Sequence, residues 1–166
     1  MLIRKLYKFE AGHIVRGCNS VRCSHSEHGH SYKVEVFFEA EELTDYGMVI
    51  DFGDLKRVKE FLDRFDHSYH FWTKESDEFK NFHKKFDARW IELPFSPSAE
   101  NYSIYFLKAI QDIVNTSKFD NKKAKCVSVR VHETDTGYAE ADELDLYLHN
   151  YYKLEDIKFS DGIFNS

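Results

Sequence analysis

The chain has 166 residues, 42% of them hydrophobic and 31% charged, with a formal net charge of −6. That length suits one domain with a single core, and no apolar run approaches the roughly 18 residues of a membrane span. The acidic balance, without a long basic run, argues against nucleic acid, whose binding is led by Lys and Arg on phosphates.

Residues 2–13 read as a strand, with Ile3, Tyr7, Phe9, Ala11 and His13 on one face. Residues 14–27 form a polar loop holding Cys18 and Cys23. Residues 28–39 alternate as a second strand that puts His30, Tyr32, Val34, Val36 and Phe38 on one side. Tyr46-Gly47 marks a turn, and residues 48–52 make a short apolar segment. Residues 54–65 carry Leu55, Val58, Phe61, Leu62 and Phe65 at helical spacing, with Asp51 or Asp54 available as a cap. Residues 76–86 read as a short helix with Phe79, Phe82 and Phe86. Such aromatic stripes are expected in the core or at a subunit contact. Residues 89–93 form a possible strand stopped by Pro94. Residues 98–115 give the strongest helix, with Tyr102, Phe106, Ile110 and Ile113 on one side, Ser98 as cap and Glu100 in its first turn. Residues 125–133 read as a strand with Val127, Val129 and Val131 inward, and residues 144–152 as a last strand or short helix. The expected fold is α+β: an antiparallel sheet with two helices on one face. One domain spanning residues 1–166 is expected, with the tail from about residue 150 unassigned.

Three histidines carry the chemistry. His28 and His30 are two residues apart on a strand and so share a face, and His13 would join them from the adjacent strand. Three His ligands leave the fourth zinc position open, as in catalytic sites. The rival is a structural knuckle of Cys18, Cys23, His28 and His30. That set would make the protein a non-catalytic zinc-binding or ligand-binding module, but its spacing fits zinc-finger patterns poorly. Three cysteines are too few for a disulfide framework, and their odd number points to free thiols in a reducing cytoplasm. The first residues, from Met1 to Lys5, lack the apolar stretch of a signal peptide. A cysteine beside such a histidine site, Cys18 or Cys23, is a candidate base or nucleophile.

Asp66-His67 follows the first helix; a carboxylate beside a histidine can orient it for proton transfer, or the two can simply close the helix end. Glu133 continues the inward face of its strand. A buried carboxylate there needs a partner: an arginine, or a ligand edge with two adjacent N–H donors. Glu100 stands equally as helix-terminus acid and ligand contact. His25, His70, His83, His132 and His149 read as surface or packing residues.

Together these segments resemble the 6-pyruvoyl-tetrahydropterin synthase and 6-carboxy-tetrahydropterin synthase family. The matching pieces are Phe9-Glu10-Ala11-Gly12-His13, Cys23 ahead of His28-Gly29-His30-Ser31-Tyr32, and Gly47-Met48-Val49-Ile50-Asp51-Phe52 with Leu55-Lys56. Asp66-His67, Pro97-Ser98-Ala99-Glu100-Asn101 and His132-Glu133-Thr134 complete the set. They stand in family order over most of residues 7 to 134.

The resemblance implies the tunnelling fold, trimeric barrels stacked into hexamers, and active sites between subunits. It implies that His13, His28 and His30 hold zinc, that Cys23 is the catalytic thiolate, and that Asp66 and His67 form a proton-relay pair. Glu133 would anchor a pterin, with Glu100 and Ser98 near it. The implied substrate is 7,8-dihydroneopterin triphosphate. The carboxy branch, which feeds queuosine (7-deazapurine) biosynthesis, is preferred over the pyruvoyl branch, which eliminates triphosphate without cutting a carbon–carbon bond.

The chain departs from the family in places. Carboxy-type members usually place the cysteine where Ser24 stands, Ser98 replaces a threonine, and residues 73–90 and those beyond 138 differ.

Overall fold

The long strand Leu2–His13 (β1) pairs with His28–Glu39 (β2) in one unbroken antiparallel register, from Leu2 opposite Glu39 to His13 opposite His28. The computed structural model describes residues 1–117, 121, 123–149 and 153–160. Between the two strands lies one short helix, Val21–His25 (α1). Next come the helix Lys56–Asp63 (α2), led in by a 3₁₀ turn at Phe52–Leu55, the strand Ser68–Trp72 (β3), the helix Asp77–Phe86 (α3) and the strand Trp90–Leu93 (β4). The long helix Ala99–Thr116 (α4) leads to Lys125–Thr134 (β5), Gly137–Asp142 (β6), Glu143–His149 (α5) and the short edge strand Lys158–Phe159 (β7).

The strands form one sheet in the order β6-β5-β2-β1-β3-β4-β7. Its β6-β5-β2-β1 half is antiparallel, as the alternation predicts, but β3 runs parallel to β1 and β4 parallel to β3. The reason is the helix between β3 and β4. A crossover helix returns the chain to the end from which it started, so the two strands must run the same way. β3 and β6 lie outside the strands expected from alternation. Both are short, and β3 mixes polar and aromatic residues with no clear period of two.

The core lies between the sheet and the pair α2 and α4. Tyr102, Phe106, Leu107 and Ile110 of α4 are buried with Val58 and Leu62 of α2 against Phe9, Tyr32, Val34 and Val129 of the sheet. Each large apolar side chain so buried contributes about 1.5–3 kcal/mol. The Ser98 hydroxyl accepts from the Asn101 N–H, which satisfies a free donor at the start of α4.

Three sequence expectations shift. A bulge opposite Phe37 and Phe38 makes Val127 the extra residue of β5, so Cys126 rather than Val127 joins Val129 and Val131 in the core. Helix α3 lies away from the core: Tyr69 and Phe71 point opposite to His70 and carry it, while Phe82 and Phe86 are exposed. The segment expected over residues 144–152 is helical over Glu143–His149, and residues 150–152 lie outside the described residues.

The other face of the antiparallel half is polar. The Glu35 carboxylate is buried and takes Arg4, Arg130 at 3.3 Å and His132 at 3.0 Å, and Arg130 also reaches Glu140 of β6. Burial works against its ionisation, but hydrogen bonds from His132 and Arg4 and the charges of Arg4 and Arg130 outweigh it. The Glu35 carboxyl is therefore held below the ordinary range. A depressed folded value stabilises fully above the unfolded value of about 4.3, and that stability is lost as pH falls through the folded value. Glu35→Gln should therefore flatten the loss of stability on acidification, read from urea midpoints between about pH 4.5 and 2.5. A slope equal to that of the parent chain would show that Glu35 is not the group responsible.

Candidate metal and pterin site

The β1–β2 register builds the histidine cluster directly. His13 stands opposite His28 and Ala11 opposite His30, so the three imidazoles fall on one face of two neighbouring strands. One ring nitrogen from each lies within 4.8 Å of the others. Neither Cys18 nor Cys23 joins this group among the described residues, so the four-ligand knuckle is not assembled.

Hydrogen bonds fix the tautomers. A carbonyl only accepts, so His13 Nδ1 donates to the Pro97 carbonyl at 2.7 Å and His28 Nδ1 donates to the Ser26 carbonyl at 2.9 Å. The backbone of Glu133 hydrogen-bonds His30. With their protons on Nδ1, the Nε2 atoms of His13 and His28 are both acceptors, yet they face each other at 3.1 Å. Two lone pairs at that distance repel unless a cation lies between them. Zinc–nitrogen bonds of about 2.0–2.1 Å in a tetrahedron would set such an edge near 3.3 Å. The donor set therefore fits a metal with three His ligands, and the carbonyl partners are the kind of support that orients ligating histidines.

Burial favours the neutral, ligating form of His13 and His30. It pushes His13 down to about 4, aided by His28 and His30 and opposed by the Pro97 carbonyl. It also lowers His30, with His28 adding to the effect. Tyr32, two residues beyond His30 on the same face, puts its hydroxyl 3.0 Å from His13 Nδ1. That role was hidden in the apolar stripe, although the two-residue spacing marks it.

Glu133 is half-buried rather than enclosed, at the end of β5 where the pairing with β6 shifts register. Its Oε1 is buried without a hydrogen-bond partner, while the Ala99 N–H at the start of α4 supports the carboxylate. Burial first, and the nearby Glu100 charge second, raise it above the ordinary carboxylate range. His28 acts on the same carboxylate, so Glu133, Glu100 and the histidines share one neighbourhood. Ser98 stands beside them as the cap of α4.

Cys23 lies on α1, half-buried, and its carbonyl accepts from the Val15 N–H at 3.1 Å. The Cys18 thiol is turned instead to the Val15 and Ser20 carbonyls, both at 3.4 Å.

Asp66 and His67 form a pair at 2.8 Å in the turn before β3. His67 takes a left-handed φ of 53°, and its N–H donates to the Glu10 carbonyl at 2.7 Å. Burial opposes ionisation of Asp66, but the Glu10 N–H and His67 hold its carboxyl below the usual range. His67 lines a cleft of about 660 Å³ with Glu10, Gly12, Ser31, Tyr69 and Arg89. His30 borders the same cleft, whereas His13 and His28 do not. Among the described residues no hydrogen bond joins Cys23 to His67.

A family model described as 6-pyruvoyl tetrahydropterin synthase matches residues 2–143. The chain belongs to that family. It is 43% identical over 169 residues to a Helicobacter pylori protein named 6-carboxy-5,6,7,8-tetrahydropterin synthase, covering 98% of this chain and 84% of the relative. It is 30% identical over 158 residues to an Aquifex aeolicus protein of the same name, covering 85% and 97%. The crystal structure of an uncharacterized protein from Wolinella succinogenes superposes with a TM-score of 0.68 at 22% identity, covering 86% of this chain and 98% of that one. The 6-pyruvoyl tetrahydropterin synthase of Plasmodium vivax superposes at 0.62 with 16% identity, covering 85% and 97%. These likenesses show the fold, the tunnelling fold of that family.

His28→Ala should leave the sheet folded and lose the metal, with zinc falling from about one per chain to below about 0.1 after dialysis, read by atomic emission. Retained stoichiometric zinc would contradict the three-His site.

Proposed function

We propose that the chain is a zinc-dependent 6-carboxy-5,6,7,8-tetrahydropterin synthase. It converts 7,8-dihydroneopterin triphosphate and water to 6-carboxy-tetrahydropterin, acetaldehyde and triphosphate, on the route to queuosine. The observation that carries the reading is the pair of facing Nε2 acceptors in the histidine cluster, with the unpartnered Glu133 oxygen in the same neighbourhood. The extended identity to relatives of that name supports it.

His13, His28 and His30 would hold the zinc. When bound, zinc supplies Lewis acidity toward the oxygens of the substrate side chain and makes the neighbouring carbon-bound protons easier to remove. Glu133 binds and orients. Its free Oε1 accepts from an N–H edge of the pterin, and the Ala99 N–H holds the carboxylate in place. Glu100 and Ser98 border that ring. Cys23 takes a side-chain proton as general base, and His67, oriented by Asp66, returns one as general acid.

Within one chain, His67 faces the cleft on the other side of the sheet from the side chains of the histidine cluster. A homo-oligomer, a hexamer of two trimers by family likeness, is the arrangement in which a neighbour's Asp66 and His67 complete the site. No helix among the described residues is long and apolar enough to cross a membrane. With three free cysteines, a cytoplasmic location follows as part of the proposal.

Zinc-loaded protein given 7,8-dihydroneopterin triphosphate should release acetaldehyde and 6-carboxy-tetrahydropterin, identified by mass spectrometry. A 6-pyruvoyl product without acetaldehyde would move the chain to the pyruvoyl branch, and no turnover would leave a zinc-binding module. In the same assay Cys23→Ala should lower kcat by at least about 10²-fold with zinc retained. Glu133→Ala should raise KM by about 10-fold or more, as expected when a charge-assisted hydrogen bond is removed.

A further inference from the structure

We propose that residues 73–87, the turn into α3 and the helix itself, are a positioning clasp for the loop that carries Cys23. The inference rests on Cys23 being the reacting thiol. The loop is the 14-residue connection, residues 14–27, between the ligands His13 and His28. Its one regular element, α1, spans five residues, and its Ser20 cap makes no side-chain hydrogen bond. A helix that short does not hold itself.

Two grips hold the connection near both ends. At the first, Arg16 forks onto Glu75, with Nε 3.0 Å from Oε1 and Nη2 3.1 Å from Oε2. The Glu75 side chain is 8% exposed. The remaining arm of Arg16, Nη1, donates to the Ser24 carbonyl at 2.9 Å, next to Cys23, and the guanidinium lies 5.5 Å from the Phe79 ring centre.

At the second, the Glu27 carboxylate, one residue before His28, meets His83 Nε2 at 3.0 Å. His83 is 2% exposed, and its Nδ1 meets Asp87 at 2.5 Å. Its ring stacks on Tyr69 at 3.9 Å and 4°. The Tyr69 ring lies so close to Gly12 that a Cβ there would stand 2.9 Å from it. The seat of α3 thus reaches the residue beside ligand His13. The helix has anchors of its own: the Ser76 cap, Lys80 on the Thr73 carbonyl, and Lys84 on the buried Glu92.

A bidentate arginine–carboxylate pair with one side buried restricts a loop far more than an exposed ion pair does. The backbones of the zinc ligands are held by the β1–β2 ladder, His28 alone leaning also on the Ser26 carbonyl of the loop, and Glu133 is held by β5 and α4. The clasp therefore governs where the Cys23 thiol sits and leaves the metal and the pterin contacts in place. Misplacing a reacting group by about 1 Å costs about 10²-fold in rate. Arg16, Glu75, Glu27 and His83 are positioning residues.

The test uses the full zinc-loaded chain with Glu75→Ala, Arg16→Ala, the double variant and Glu75→Gln. It reads kcat, KM, zinc per chain, and the rate of iodoacetamide alkylation at Cys23, with Cys18 as internal reference in peptide mass spectra. Glu75→Ala should lower kcat by about 10- to 100-fold with KM within about threefold and one zinc per chain. It should also change Cys23 alkylation at least about fivefold relative to Cys18. The double variant should be no worse than either single one, because both break the same fork. Glu75→Gln, which keeps the shape, should fall between.

Wild-type kcat and Cys23 alkylation in Glu75→Ala would overturn the proposal. So would equal losses of zinc and pterin affinity, which mark a general structural role. If Glu75→Ala does not fold, Glu75→Gln and Arg16→Ala decide by the same readouts. Should Cys23→Ala turn over normally, the thiol assignment falls, while Cys23 alkylation in the Glu75 variants still decides whether the clasp sets the loop.

Discussion

Each of the first two strands runs for 12 residues, and they pair without a slip. The rest of the molecule depends on that register. It sets His13 across from His28, with His30 beside them, and turns Phe9, Tyr32, Val34 and Val36 to the same side. The histidine cluster and the core are therefore one continuous face. A slip of one residue would turn every one of these side chains to the far side, so the apolar burial that stabilises the fold also fixes the site.

Burial at the end of that face has chemical consequences. Burial holds His13 and His30 toward the neutral form, and backbone carbonyls accept from Nδ1 of His13 and His28. The lone pairs left over converge. On the same side, the start of α4 brings the Ala99 N–H and Glu100 to Glu133. A carboxylate raised by burial and by a like charge, with one oxygen unpartnered, is an acceptor awaiting a donor. The opposite face of the sheet is polar where Glu35 gathers Arg4, Arg130 and His132, and His67 opens onto a cleft that His30 also borders. One chain thus presents two groups of titratable side chains on two sides of a sheet.

Helix α3 gives the parallel half of the sheet a purpose. The crossover from β3 to β4 sets it on the face away from α2 and α4, where it rests on Tyr69 and, with Glu75 just before it, meets the connection between His13 and His28 at Arg16 and Glu27. The exposed Phe82 and Phe86 lie on its outer side. Stabilisation of the core and restraint of the loop are thereby divided between the two faces.

The sequence by itself determined what strict periodicity can determine. The alternation in residues 2–13 and 28–39, the helical spacing in residues 98–115 and the Ser98 cap placed those elements within a residue of their observed ends. The two-residue spacing of His28 and His30, with His13 on the neighbouring strand, made the clustering of the three imidazoles legible. Only the tertiary structure decided what depends on distant partners. The strand at residues 68–72 has no period of its own and exists because β1 and β4 flank it. Val127 lost its core place to Cys126 through a bulge that no local pattern announces. His83, read as a surface or packing residue, owes its role to Glu27, 56 residues away, and to a tyrosine ring beneath it. Such roles arise from contacts between elements, and periodicity reports only which side of an element faces the core.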